Sequence, residues 1–247
     1  MQISATIITF NEGERIGRCL RSVAWCDEIV VVDSGSTDLT CRIAEDAGAR
    51  VLRRDWPGYV RQKNRAAEEA RFDWILSLDA DEELSPRLRA ELESLHGRDS
   101  DLAGYSMPRL AHYLGGWIRH SGWYPDRKIR LYDRRRGRWT GGAVHESVQV
   151  DGPVGRLQGD LLHYTCDSLS EHIQRVDRYT SLAADELAAE GKRIGWRGLT
   201  LAPLWKFLRT FIVESGWRDG YRGLFIAQMA AFYVWSRNAK TRERLSP

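Results

Sequence analysis

The chain has 247 residues, 43% hydrophobic and 29% charged. That balance excludes a disordered or fibrous protein and suffices for one domain, or one with an appendage, around a real core. The formal net charge is only +3, but Lys192–Pro247 carries eleven Lys/Arg against three Asp/Glu, while the rest carries 26 against 31. A basic tail on a mildly acidic body points to an anionic partner: a membrane surface, a phosphorylated substrate or nucleic acid. Cys19, Cys26, Cys41 and Cys166 form no CxxC pair and no zinc spacing, so reduced thiols in a cytoplasmic protein are expected. The first residues lack the basic and long apolar regions of a signal peptide. No run reaches the roughly 18 uncharged apolar residues of a spanning helix.

Ile3–Thr9 reads as a β-branched strand and Glu14–Trp25 as a helix through Ile16, Leu20 and Val23. Glu28–Asp33 is an apolar run stopping at an acid, as a buried parallel strand does. Ser36, Thr37 and Asp38 supply the start of a helix over Leu39–Ala47. Ala49–Arg53 is a third strand, Tyr59–Ala70 a helix and Asp73–Asp79 a fourth strand, again ending in an acid. Ser85 and Pro86 open a helix over Leu88–Leu95. Four βα units argue for a parallel, doubly wound sheet with helices on both faces. Glycines, aromatics and short β-like runs (Lys128–Tyr132, Ala143–Val150, Leu161–Tyr164) follow. A capping box from Ser168 to Glu171 opens a helix to about Glu190, and helices are expected over Ala202–Ser215 and Gly220–Arg237.

Ligands of doubly wound sheets bind at the carboxyl ends of the strands. Three polar clusters fall there: Thr9-Phe10-Asn11-Glu12, Asp33 through Asp38, and Asp79-Ala80-Asp81-Glu82. Asp79 and Asp81 are spaced to hold Mg²⁺ or Mn²⁺ through oxygen, leaving positions for substrate phosphates; the plainer reading is a solvated acidic loop. Asp33 suits a base or ribose hydroxyl, or starts a Ser-Gly-Ser turn. Gln62, Lys63, Asn64 and Arg65 offer donors to phosphate or base, or form a solvated helix face.

In order and spacing, Thr9-Phe10-Asn11-Glu12, Val32 through Asp38, Gln62-Lys63-Asn64 and Leu78 through Glu82 resemble glycosyltransferase family 2 with its GT-A fold. Trp139 through Glu146 is similar to the same family. The closer likeness is to small bacterial members that add glucose to the inner core of lipopolysaccharide. The resemblance implies an α/β fold with a Rossmann-like mixed sheet and a helical C-terminal extension. It implies a nucleotide diphosphate sugar donor, UDP-glucose, together with a divalent metal, Mg²⁺ or Mn²⁺, and inversion at the anomeric carbon. Carried over, Thr9, Asn11, Glu12 and Asp33 hold the nucleoside, and Lys63 or Asn64 supports base or pyrophosphate. Asp79 meets ribose or metal-bound water, and Asp81 ligates the metal. The catalytic domain then spans 1–165, with a donor half over 1–100 and an acceptor half over 101–165; 166–247 is a helical region with a candidate membrane-interfacial role. The processive synthases' Gln-x-x-Arg-Trp motif and spanning helices are missing, so transfer of a single sugar is expected.

An inverting transfer needs a base for the acceptor hydroxyl, and a carboxylate suits this role. Glu146 is the first choice and Asp126 the rival; Glu146 also reads as a structural carboxylate paired with an Arg. His145 orients a phosphate, holds Glu146 or simply packs. Arg127 and Arg130 are candidates to brace the diphosphate through guanidinium forks, while Arg134, Arg135 and Arg136 read as solvated charge in a turn. Trp196, Trp205, Trp217 and Trp235 alternate with Lys and Arg, as in helices lying on a membrane, or they pack on the body. A lipid-linked or lipopolysaccharide-core acceptor at the inner face of the cytoplasmic membrane fits the first alternative, and no nucleic-acid partner is expected. Two rival functions remain. A nucleotidyltransferase wants a Gly-rich basic phosphate loop after the first strand, where this chain has acidic Thr-Phe-Asn-Glu. A nucleic-acid-binding protein has no use for carboxylates at three strand ends.

Overall fold

The computed structural model describes residues 1–142 and 146–245. They form two compact units: Met1–Arg109 with Asp126–His163, and Leu110–Pro125 with the residues from Tyr164 onward.

The first unit opens on alternating elements: β1 (Ile3–Thr9), α1 (Ile16–Val23), β2 (Glu28–Asp33), α2 (Thr40–Asp46), β3 (Arg50–Arg53), α3 (Tyr59–Glu68) and β4 (Trp74–Asp79). β1 pairs in parallel with β2 and β4, and β2 with β3. All seven β1 residues are buried. Ile3, Ala5 and Ile7 pack with Ile16, Leu20 and Val23 of α1, whereas Ile8 packs with Val30, Val32 and Ala66 of α3. Strand side chains alternate between faces, so these contacts place helices on both sides of the sheet. That is why its strands are continuous apolar runs. Each buried Ile or Val contributes about 1.5–3 kcal/mol relative to exposure, enough to fix the parallel register that aligns the strand ends.

β5 (Glu82–Leu84) and α4 (Pro86–Leu95) follow, the Ser85 hydroxyl accepting from the Leu88 amide at 3.2 Å as its position before Pro86 predicts. Then come β6 (Gly104–Tyr113), β7 (Gly116–Ile118), β8 (Asp126–Asp133), β9 (Gly137–Gly141), β10 (Glu146–Val150), β11 (Val154–Arg156) and β12 (Leu161–Cys166). The strand order is β3-β2-β1-β4-β8-β6-β12-β5, with β11 and β7 beside β6 and with β9 and β10 as a separate hairpin. β8 runs antiparallel to both β4 and β6. The sheet is therefore mixed, as the family resemblance implies: the parallel pairing expected of the βα units runs through β4, and antiparallel strands are added beyond it.

In the second unit, α5 (Leu169–Ala189) starts at Ser168, whose hydroxyl accepts from the Glu171 amide at 3.1 Å. α6 (Trp196–Leu199) and α7 (Leu201–Leu208) run into a π-type turn at Arg209–Val213 and a 3₁₀ turn at Gly216–Asp219, and α8 spans Tyr221–Leu245. The helix expected over Ala202–Ser215 is thus shorter, and the last helix longer. Gly223 allows the 3₁₀ turn to press on α8: a Cβ there would lie 1.8 Å from the Gly216 carbonyl oxygen. The Asp219 carboxylate gathers the Arg119 and His120 amides, both at 3.1 Å, and the Ser121 hydroxyl at 2.8 Å. Among the described residues no helix is long and apolar enough to cross a membrane.

Candidate functional site

Parallel register carries the three polar clusters to one edge of the first unit. Asp33 pairs with Thr9, and Asp79 pairs with Ile8 on the other side of β1. Neighbouring strands lie about 4.8 Å apart, so the ends of β2, β1 and β4 form one row. The loop after β1 is tied to the loop after β2: the Asn11 amide donates to the Ser36 hydroxyl at 2.8 Å, and Asn11 Oδ1 accepts from the Thr37 amide at 2.9 Å. The Glu12 amide donates to the Thr40 hydroxyl at 2.8 Å. Asn11 has φ +53°, the left-handed region that Asn tolerates better than most side chains.

Asp33 shapes the turn after β2. It is fully buried, and its carboxylate accepts from the Gly35 amide at 3.0 Å, the Ser36 amide at 2.9 Å and the Ser36 hydroxyl. These bonds tie its carboxylate into the Ser34–Ser36 loop. The Thr9 hydroxyl and Gln62 Oε1, both buried, have no hydrogen-bonding partner among the described residues, although Gln62 Nε2 donates to the Ser34 hydroxyl at 3.2 Å. Buried polar atoms are rarely left so. Beside them, Ser34, Gly35, Arg53, Arg54 and Asp55 line an open depression of about 290 Å³.

The next row is a chain of buried charges. Lys63, 2% exposed, places Nζ 2.8 Å from Asp79 Oδ1 and 3.5 Å from Glu146 Oε1. Arg130 donates to Asp79 Oδ2 at 3.0 Å and to Glu82 Oε1 at 2.6 Å. The Glu82 carboxylate also accepts from the Asp79 amide at 3.0 Å and lies 3.8 Å from Arg109, which binds Asp126 at 2.7 Å. Burial alone would push the Asp79 carboxyl up, but Lys63 and Arg130 outweigh it and hold the group well below the usual carboxylate range. Burial likewise opposes ionisation of Asp126, and Arg109 and Lys128 reverse it, lowering that pKa.

These contacts reassign several expected roles. Arg130 is buried, and its Nη2 is shared by Asp79 and Glu82, so it positions Asp79. The register between β8 and β6 passes from Leu131 opposite Tyr105 to Ile129 opposite Ser106, leaving Arg130 as an extra residue; bulges of this kind re-aim a side chain. Arg127 is exposed and gives one donor to the Leu157 carbonyl at 3.1 Å. Asp126 is held by Arg109 and by Lys128 at 3.0 Å, which makes it a poor base. Asn64 clasps the Trp139 backbone, donating to its carbonyl at 3.0 Å and accepting from its amide at 2.9 Å. That clasp seats the Trp139 ring with Lys63 Nζ 4.1 Å and the Arg130 guanidinium 5.2 Å from its centroid, while Trp139 Nε1 donates to the Ser77 hydroxyl at 3.2 Å. Arg134 is no solvated charge either: it donates to the Ala67 and Ala70 carbonyls at 2.8 and 2.7 Å, capping the end of α3. His145 lies outside the described residues.

Glu146 opens β10, and its side chain stays partly exposed while reaching Lys63. Asp81 Oδ2 lies 3.3 Å from His163 Nε2, both side chains being partly exposed. His163 is the residue the sequence did not reveal: it stands on β12 opposite Glu82 of β5, and no spacing in the chain ties it to Asp81. A carboxylate oxygen suits Mg²⁺ or Mn²⁺, and an imidazole nitrogen beside it tips this donor set towards Mn²⁺, the softer of the two. Among the described residues no three His, Cys, Asp or Glu side chains gather into a closed cage. Asp79, with both oxygens on cations, fits that set less well than Asp81.

The family model for glycosyl transferase family 2 matches residues 4–149. The chain is 34% identical over 251 residues to the lipopolysaccharide core biosynthesis glycosyltransferase LpsC of Rhizobium meliloti, covering 99% of this chain and 93% of that protein. It is 35% identical over 255 residues to an uncharacterised glycosyltransferase of Rickettsia typhi, covering 98% of this chain and 87% of the relative. Among solved structures it resembles glucosyl-3-phosphoglycerate synthase from Mycobacterium tuberculosis in complex with Mg²⁺ and UDP. The TM-score is 0.50 at 16% identity, over 78% of this chain and 82% of that one.

Proposed function

This chain belongs to glycosyltransferase family 2, and from that premise we propose that it moves a single hexose, with inversion, from a nucleotide diphosphate sugar to a glycan acceptor. The observation that carries the reading is the shared cation Lys63, which holds the strand-end acid Asp79 and the candidate base Glu146 at one spot beside the Asp81–His163 pair. The nucleoside lies along the loops Thr9–Glu12 and Asp33–Asp38, where the orphaned Thr9 hydroxyl and Gln62 carbonyl find partners. Asp81 and His163 hold a divalent metal, which when bound neutralises charge on the departing diphosphate. Lys63 and Arg130 keep Asp79 ionised and fixed.

Glu146 takes the proton of the acceptor hydroxyl as its oxygen bonds to the anomeric carbon. The bond from that carbon to the diphosphate breaks, and the electron pair leaves with the nucleotide. UDP-glucose is the proposed donor and a lipopolysaccharide-core or related lipid-linked glycan the proposed acceptor. The acceptor follows the relative named for core biosynthesis, and the donor nucleotide follows the solved neighbour that holds UDP. Family membership sets aside both the nucleotidyltransferase and the nucleic-acid-binding alternatives.

Titration calorimetry against nucleoside diphosphates and their sugars, with and without Mn²⁺, tests the donor side. UDP and UDP-glucose are expected to bind more tightly with the metal than without it. Equal binding of every nucleotide, or none, overturns the donor assignment.

A further inference from the structure

The second unit carries a segment that behaves unlike the surface of a soluble protein. Lys192–Val213 contains five Lys or Arg (Lys192, Arg193, Arg197, Lys206, Arg209) and no Asp or Glu. Neither α6 nor α7 buries a single residue. Leu201, Leu204, Trp205, Ile212 and Val213 are each 51–67% exposed, and Trp196 just before them is also exposed. Leu201, Leu204 and Trp205 share one helical side by their three- and four-residue spacing, and Ile212 falls two turns beyond Leu204 on the same side. A helix of a soluble protein turns such a stripe inward; this one turns it outward, where contiguous apolar surface marks a contact.

Charge decides the occupant. A second copy of the same face would bring ten cations together against only the two Glu214 carboxylates that pair Arg209 at 2.9 Å, which repels. A single nucleic-acid strand would meet the cations and indoles, but it has no use for the aliphatic Leu201, Leu204, Ile212 and Val213. A bilayer rich in anionic headgroups satisfies both sets at once: phosphates for Lys and Arg, acyl boundary for the stripe, and the amphipathic headgroup layer for indole. We infer that Lys192–Val213 is an interfacial anchor through which the second unit lies on an anionic lipid surface.

This inference goes beyond the transfer reaction and does not rest on it, because vesicle binding needs neither donor nor metal. Flotation of the full chain with phosphatidylcholine vesicles, with and without phosphatidylglycerol, tests it. Partition onto the anionic vesicles is expected, weakening as salt screens the cations. Removing Arg193 and Arg197 together (R193Q with R197Q) should lower it about 25-fold, at about fivefold per cation. The pair Leu204→Gln and Ile212→Gln keeps the charge and should abolish penetration, read as lost quenching of tryptophan fluorescence by brominated lipid. An unchanged thermal melt in both variants shows that they fold. No binding to anionic vesicles, or equal binding by wild type and both variants, overturns the anchor. So does a dimer in sedimentation that L204Q with I212Q dissociates, which would assign the face to a second copy, and so does oligonucleotide binding that outcompetes the vesicles.

Discussion

Glu146 and Asp79 share Lys63 but are held differently: Asp79 has Lys63 at 2.8 Å and Arg130 at 3.0 Å, whereas Glu146 has Lys63 at 3.5 Å. A carboxylate fixed by two cations is a weak base, so the looser one is the better proton acceptor. Glu146→Gln keeps size and hydrogen bonding but cannot take a proton. Its kcat should fall by about 10²–10⁴, while calorimetry finds the nucleotide Kd unchanged; an unaltered kcat would return Glu146 to a structural role. Asp81→Asn and His163→Gln should each raise the Mn²⁺ concentration needed for half-maximal rate, with metal-free nucleotide binding intact. If neither variant shifts that concentration, the metal is held elsewhere. At this scale the sequence offered Asp81, Lys63 and Glu146 as candidates, because acids after apolar strands and donors early in a helix are local signals. It did not show the partners of Asp33, Asn64 and Arg130, which no local pattern marks. Ser36 sits three residues from Asp33 and competes for its carboxylate. Trp139 and Glu82 come from distant segments.

Elements were legible where their pattern is local and hidden where pairing is not. β1, β2 and β4 show as apolar runs and α4 as a capped helix, because both depend on near neighbours. β6 does not, since Pro108 inside it argues against a strand and its buried positions lack a two-residue period. The junction of β6 with α5 carries a pH dependence. The Tyr113 hydroxyl lies 2.8 Å from His172 Nδ1, and burial, helped by the Arg175 cation, pushes His172 down to about 4. An unfolded His titrates near 6.5. Between these values the unfolded chain binds more protons, so stability rises with pH. The part due to His172 is complete above about pH 6.5 and is lost as pH falls towards 4. Denaturation midpoints followed by tryptophan fluorescence should therefore drop over that window in the wild type. In His172→Gln, which keeps an acceptor for Tyr113, they should drop less steeply. An identical slope in the variant would remove His172 from this account.

At the scale of the molecule, the uneven charge visible in the sequence follows the two units. The strand-end acids all lie in the first unit, and the acid-free stretch Lys192–Val213 lies in the second. The excursion of Leu110–Pro125 into the second unit left no compositional trace, because its contacts form with segments far along the chain. Two sites on two units should answer to two ligands separately, and hydrogen exchange across the whole chain can read both at once. A ligand at a hundred times its Kd stabilises the bound form by about 2.7 kcal/mol, slowing exchange up to about a hundredfold wherever opening requires release. UDP with Mn²⁺ should slow residues 9–13, 33–38 and 79–82 and leave 192–213 unchanged, whereas anionic vesicles should do the reverse. In Asp81→Asn the protection added by Mn²⁺ should vanish while that from UDP alone persists. Nucleotide protection reaching into α7 and α8, with none at the three strand-end loops, would mean that the donor is held by groups other than those that β1, β2 and β4 bring into line.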